Sequence, residues 1–189
     1  LYPFNLWSGD LPDRALRMAD YAAECGAHAL VMCPLNDGQK VAHSAVVAAL
    51  DAMKPILSER GLTGLVEPLG FPISSLRTKA EAIAAMTEAD EDGTYLLMHD
   101  TFHHHLAGET VFYPNRTGLV HISGVTDSAV AVDDMLDAHR VLVDGADRLE
   151  NIEQIRALQA GGYAGPFSFE PFAQQVHDLD DPEAALRES

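Results

Sequence analysis

The sequence predicts an α/β protein, a barrel of parallel strands with a helix after each strand. Three observations predict it. Short apolar runs alternate with helix-like stretches along the chain, the pattern of a parallel sheet with right-handed crossovers. Four of those runs end in a side chain able to hold a cation: Gly64-Leu-Val-Glu67, Tyr95-Leu-Leu-Met-His-Asp100, Gly118-Leu-Val-His121 and Pro166-Phe-Ser-Phe-Glu170. Groups at the C-terminal ends of barrel strands converge on one mouth. An open doubly wound sheet often carries a Gly-rich phosphate turn instead, and neither GxGxxG nor GxxxxGK[ST] occurs in the sequence.

The elements follow in order. Residues 1–7 are apolar and strand-like. Asp10-Leu-Pro-Asp starts a helix with Pro in its first turn, running over residues 14–25 and stopping at Gly26. Residues 28–34 are a continuous apolar run, expected as a strand buried on both faces. A helix over residues 41–60 ends near Gly61, and residues 62–68 form the next strand. Residues 78–89 read as a helix, with Thr78 and Glu81 spaced as a capping box. Residues 95–100 and 119–125 are strands, and residues 132–142 are expected to be helical. A helix starts near Glu150 or Asn151 and ends at Gly161-Gly162, residues 167–170 close the series, and residues 178–189 form a last helix or frayed end. The expectation is six strands in a single barrel domain over residues 1–189, two βα units short of eight.

At 189 residues the chain can bury a sizeable core. Cys25 and Cys33 lie eight apart with no CxxC, so a disulfide framework is not indicated and a reducing, cytoplasmic home is expected. No apolar run approaches a membrane span and no signal-peptide pattern opens the sequence. A formal charge of −17 repels phosphate backbones, so nucleic acid is not an expected partner. Oligomeric state is not written in the sequence, and a homo-oligomer is compatible with it. The first residue is Leu1 rather than Met, and the chain opens on an apolar segment, so an N-terminal piece is expected to precede it.

Glu67 and Glu170 occupy matching frames, each at the end of an apolar run and each followed by Pro, which cannot extend a sheet ladder. One such Glu alone would most simply be an exposed strand end; two in the same frame point to a shared use. Asp100 and His103 form an Asp-x-x-His pair where the chain leaves its strand. Three consecutive histidines, His103, His104 and His105, suggest a metal tract. Neighbours in a turn point in different directions, so only His103 is assigned to the site. His121 alone would be an ordinary core or rim histidine; beside three carboxylates at equivalent strand ends it becomes a ligand. The expected ligand set is Glu67, Asp100, His121 and Glu170. Three oxygens and one nitrogen favour Mn2+ or Mg2+, with Co2+ or Zn2+ possible.

A cation held by a carbonyl and an adjacent hydroxyl acidifies the carbon-bound proton between them and stabilises the resulting enediolate. A carboxylate on each face can remove and return that proton. Glu67 and Glu170, on non-neighbouring strands, suit that acid–base role. The expected reaction is isomerisation or epimerisation beside a ketone.

At these residues the sequence resembles the xylose isomerase-like TIM-barrel superfamily, which holds sugar-ketone epimerases, inosose isomerases and dehydratases, hydroxypyruvate isomerase and endonuclease IV. The matching pieces are GAHALVMCP (residues 26–34), LVEPLG (65–70), HDTFHHH (99–105), VHISGV (120–125) and GPFSFEPF (165–172). The resemblance implies a TIM (β/α)8-type barrel of which residues 1–7 are the third strand, so that the first two βα units are missing from this sequence. It implies the same four ligands, the two glutamates as the acid–base pair, and His103 in contact with substrate. The substrate would be a small sugar or polyol ketone, or a keto-inositol.

The sequence departs from the family in one respect. Sugar epimerases of this kind carry an Arg shortly after the His ligand to hold substrate oxygens, and here Ile122-Ser-Gly-Val-Thr-Asp127 follows. Arg140 is taken for that role, with Arg148 as the alternative; a charge at the C-terminus of a helix is the ordinary reading of Arg140. The missing Arg favours an inosose-type isomerase over a free-sugar epimerase. Rival readings are a dehydratase of the same substrate class, an endonuclease IV-like phosphodiester hydrolase, which the acidic charge disfavours, and a non-catalytic binding protein that keeps the cation.

Overall fold

The alternation of strand and helix is realised in the computed structural model, which describes residues 1–90 and 93–189. Contacts divide the chain into two compact units, Leu1–Met98 and His99–Ser189.

In the first unit, helix α1 (Leu11–Glu24) has Pro in its first turn, where a missing N–H leaves no intrahelical bond unmade. It buries Leu11, Ala15 and Ala19, a stripe at helical spacing. Strand β1 (Ala29–Met32) pairs in parallel with β2 (Thr63–Val66), Ala29 opposite Thr63 and Met32 opposite Val66. Between them, α2 (His43–Ser58) buries Val46, Leu50, Met53 and Leu57. Helix α3 (Lys79–Ala89) carries the predicted capping box. The Glu81 N–H donates to Thr78 Oγ1 at 3.2 Å, and the Thr78 N–H donates to Glu81 Oε2 at 2.9 Å. Strand β3 (Tyr95–Asp100) then pairs in parallel with β2, Gly64 opposite Tyr95. That pairing requires the glycine: a Cβ at Gly64 would lie 2.6 Å from the Tyr95 ring and 2.9 Å from Leu57.

The last two residues of β3, His99 and Asp100, belong to the second unit. Helix α4 (Thr101–Ala107) follows at once, then a 3-10 turn (Pro114–Arg116) and β4 (Thr117–Ile122). Helix α5 (Asn151–Ala160) leads to β5 (Phe167–Phe169), parallel to β4 with Val120 opposite Phe167 and Ile122 opposite Phe169. Val120, Ile122, Leu158 and Tyr163 form the core here, with Phe112, Ile155 and Phe167 packed against it. Two short helices, α6 (Gln174–His177) and α7 (Pro182–Glu188), end the chain.

Three expectations are corrected. Residues 1–7 are turns rather than a strand. Pro3 has no N–H for a ladder, and the chain touches the end of β1 only at points: the Cys33 N–H donates to the Leu1 carbonyl and the Phe4 N–H to the Cys33 carbonyl, both at 3.0 Å. The described residues therefore hold five strands rather than six. Residues 132–142 form no α-helix but two 3-10 turns, Val132–Asp134 and Asp137–His139. Val141 instead exchanges backbone hydrogen bonds with Gly124, at 2.7 and 2.8 Å. A Cβ at Gly124 would come within 3.0 Å of the Leu142 carbonyl, so a glycine is what admits this crossing. Strand β1 is less enclosed than its apolar run suggests, with only Met32 fully buried.

Candidate metal and acid–base site

Glu67 follows β2 in the first unit and is 5% exposed. Its N–H donates to the Met32 carbonyl at 3.1 Å, extending the β1–β2 ladder by one bond before Pro68 ends it. The Cys33 thiol donates to Glu67 Oε2 at 3.2 Å. Sequence reasoning set Cys33 aside because no second cysteine is spaced with it; parallel register is what brings the residue after β1 beside the residue after β2.

In the second unit, Asp100, His121 and Glu170 converge. Each offers one ligand atom, and these atoms lie within 4.8 Å of one another. Local structure accounts for each placement. Asp100 ends β3 and caps α4: its Oδ1 accepts from the Phe102 N–H at 2.7 Å and the His103 N–H at 3.4 Å. Aspartate is a preferred N-cap because its short carboxylate reaches these unpaired amides. His121 lies within β4. Glu170 is set by main chain, its N–H donating to the Ile122 carbonyl at 2.9 Å. His121 Nδ1 stands 3.1 Å from Glu170 Oε2.

Arg140 completes the cluster. Only 1% exposed, it is the largest fully buried side chain described. Its Nη2 donates to Asp100 Oδ2 at 2.7 Å and Glu170 Oε2 at 2.9 Å, its Nη1 to Asp137 Oδ1 at 3.2 Å, and its Nε to Ser123 Oγ at 3.0 Å. The guanidinium carbon lies 4.9 Å from the centroids of both the Phe102 and Phe172 rings, within cation–π range. The reading of Arg140 as a helix C-terminal charge is overturned, since only the single 3-10 turn Asp137–His139 precedes it and its charge is turned inward onto carboxylates. Arg148 does other work: its Nη1 donates to the Asp127 carbonyl and, at 2.8 Å, to the Val130 carbonyl, bracing the loop after β4.

Burial pushes the Asp100 carboxyl up, but Arg140, followed by His103, His121 and a hydrogen bond with Glu170, outweighs it and holds Asp100 at about 2. Burial likewise disfavours the Arg140 charge, and Asp100, Glu170 and Asp137 more than restore it, raising its pKa. Both groups are therefore ionised across the physiological range. Asp100, Glu170 and Asp137 all bond to Arg140, three carboxylates to one guanidinium, so negative charge is left over. A ring nitrogen and a carboxylate oxygen facing each other at 3.1 Å are favourable only with a proton or a cation between them. Two carboxylate oxygens, an imidazole nitrogen and excess negative charge fit a divalent cation.

The neighbouring histidines differ. His103 is buried in the first turn of α4, its ring edge-on to Phe102 with centroids 5.3 Å apart. His104 is buried against Phe112 at 4.6 Å and His99 at 5.0 Å, a packing role. His105 is half-buried, which lowers its pKa. Asn5 is a structural pin, its Nδ2 donating to Ser75 Oγ and its Oδ1 accepting from the Leu35 N–H, both at 2.9 Å. Trp7 and Asn36 are half-buried.

The family model described as xylose isomerase-like TIM barrel matches residues 1–189. A crystal structure of a xylose isomerase domain containing protein from Salmonella typhimurium LT2 is 33% identical, with a TM-score of 0.91 over 99% of this chain and 71% of that one. The IolI protein with a bound zinc atom is 20% identical, with a TM-score of 0.82 over 93% of this chain and 65% of that one. D-allulose 3-epimerase from Methylomonas sp., in complex with D-allulose, is 16% identical, with a TM-score of 0.70 over 99% of this chain and 66% of that one. No curated protein sequence matches the chain.

Proposed function

Because the chain belongs to the xylose isomerase-like TIM-barrel family, we propose that it is a divalent-cation-dependent isomerase or epimerase of a small polyol ketone or keto-inositol. The observation that carries this reading is the convergence of Asp100, His121 and Glu170 within 4.8 Å. In this reading Glu67 is the fourth ligand, buried after β2 in the position Glu170 takes after β5. Three oxygens and one nitrogen suit Mn2+ or Mg2+; the zinc of the IolI structure keeps Zn2+ among the candidates, as borderline chemistry does Co2+. When bound, such a cation supplies Lewis-acid polarisation of a carbonyl and its neighbouring hydroxyl.

The chain's own residues do the rest. Glu170, held by Arg140 and His121, takes the proton from the carbon beside the carbonyl, and Glu67 serves the opposite face. Asp100 takes no part in proton transfer, because a carboxyl held at about 2 stays ionised. His103, one turn into α4, contacts the substrate. Arg140 has five N–H donors, and its four hydrogen bonds leave one, on Nη1, for a substrate oxygen. A small ketone polyol is the class that fits this donor and acceptor set, and the D-allulose held by the Methylomonas epimerase belongs to it.

The test is Glu170→Gln. Mn2+-loaded protein is offered a panel of ketoses and keto-inositols in D2O, and exchange of the carbon-bound proton is followed by NMR. The wild type exchanges at least one of them. The variant retains Mn2+ and loses exchange by about 100-fold or more, the usual worth of a positioned base. Undiminished exchange in a variant that still holds Mn2+ rules out the acid–base role.

A further inference from the structure

Arg140 lies where a substrate-holding arginine would be expected, but its bonds are those of a counter-charge. Asp100 has one carboxylate oxygen, Oδ1, committed to the amides of α4, leaving Oδ2 to face the cluster; Arg140 Nη2 takes that oxygen at 2.7 Å. Glu170 presents Oε2 to His121, and the same nitrogen of Arg140 takes that oxygen at 2.9 Å. A cation that takes Asp100 Oδ2 and Glu170 Oε2 therefore shares both oxygens with the guanidinium.

The guanidinium is also fixed. Phe102 and Phe172 lie against it at 4.9 Å each, Ser123 Oγ holds Nε, and Asp137 holds Nη1. Ser123 is itself anchored, its carbonyl accepting from Asn151 Nδ2 at 2.8 Å. With both ring contacts and four hydrogen bonds, Arg140 cannot swing clear when a second positive charge arrives.

We infer that Arg140 is a built-in competitor of the divalent cation, a positioning residue that neutralises Asp100 and Glu170 and thereby weakens the affinity of the ligand cluster. The inference rests on the cation-binding reading of that cluster. Its consequence is a site tuned for exchangeable metal: removing the guanidinium makes the ion bind more tightly, whereas an arginine that only holds substrate would leave ion affinity unchanged. Like charges a few ångströms apart in a partly buried site repel by more than a tenfold change in affinity.

The experiment is a Mn2+ titration of chelator-stripped protein followed by electron paramagnetic resonance, for wild type, Arg140→Met and Ser123→Ala. Methionine keeps an apolar stem between the two rings. The expected result is binding at least roughly tenfold tighter for Arg140→Met. Ser123→Ala frees Nε and is expected to bind about threefold tighter, the worth of one modest hydrogen bond. Arg140→Met leaves Asp100 buried without its partner, so if this variant folds only with Mn2+ present, that dependence supports the inference and Ser123→Ala supplies the affinity comparison. Wild-type binding with equal or weaker binding in the variants overturns the inference and leaves the proposed function standing. Absence of Mn2+ binding in all three overturns both.

Discussion

Replacing Asp100 by Asn separates the charge of this residue from its role as a helix cap. Asparagine caps a helix about as well as aspartate, so the bonds to the Phe102 and His103 amides survive in kind, while the ionic bond to Arg140 does not. The magnitude follows from linkage. The carboxyl falls from its ordinary 3.8 to about 2 on folding, and at 1.4 kcal/mol per pH unit that displacement stabilises the ionised native state by about 2 kcal/mol. Because the folded value is the lower one, this stability is fully present above pH 3.8 and is lost as pH falls through about 2. Asp100→Asn should therefore cost about 2 kcal/mol at pH 7 and roughly half as much at pH 3. The assay is urea unfolding of chelator-treated wild type and variant at both pH values, followed by far-UV circular dichroism. A destabilisation of the same size at pH 7 and pH 3 would refute the electrostatic account and assign the loss to packing.

Two further perturbations test the first unit. Gly64→Ala should cost about 1–3 kcal/mol in the same unfolding assay, the usual range for overpacking, since the added carbon meets the Tyr95 ring at 2.6 Å and β2 and β3 must shift apart; an unchanged midpoint would contradict the close approach. Burial, then Asp90 and Asp51, raise the Tyr95 hydroxyl well above its ordinary 10.0, so wild-type stability should fall as pH rises past that value. Tyr95→Phe should abolish this alkaline loss while costing about 1 kcal/mol at pH 7 for the 2.7 Å bond to the Leu50 carbonyl, as denaturant midpoints at pH 8 and pH 11 would show.

The parts legible in the sequence were those written in local chemistry. Thr78 and Glu81 announce the start of α3 by spacing alone. Asp100, His121 and Glu170 are found because each ends or lies in a short apolar run, and parallel strands bring such ends together. What sequence misses here is set by distant partners. Residues 1–7 are as apolar as a strand, but they bury Leu1 and Phe4 from turns capped onto Cys33. Residues 132–142 contain enough helix formers to read as a helix; the Gly124–Val141 bridge and the pull of Asp100 and Glu170 on Arg140 outweigh that propensity. Helix α4 is too short to show an apolar stripe and three consecutive histidines blur its period, although Asp100 ahead of them is a good cap. Ser123, Asp137, Phe102 and Phe172 carry no signal of their own, since their common purpose exists only once Arg140 is buried among them.

One main-chain oxygen has a practical bearing on re-engineering this protein. The Arg140 carbonyl accepts from both the Phe172 N–H at 3.0 Å and the Ala173 N–H at 2.8 Å, while its neighbour Val141 is stapled to Gly124. Two surface excursions, one leaving β4 and one leaving β5, are thus riveted to each other at a single carbonyl. A library meant to widen substrate range should randomise residues 126–134, which lie outside that rivet, and leave Asp137, 140–141 and 171–173 untouched, because shifting any of them would drag the guanidinium off its carboxylates.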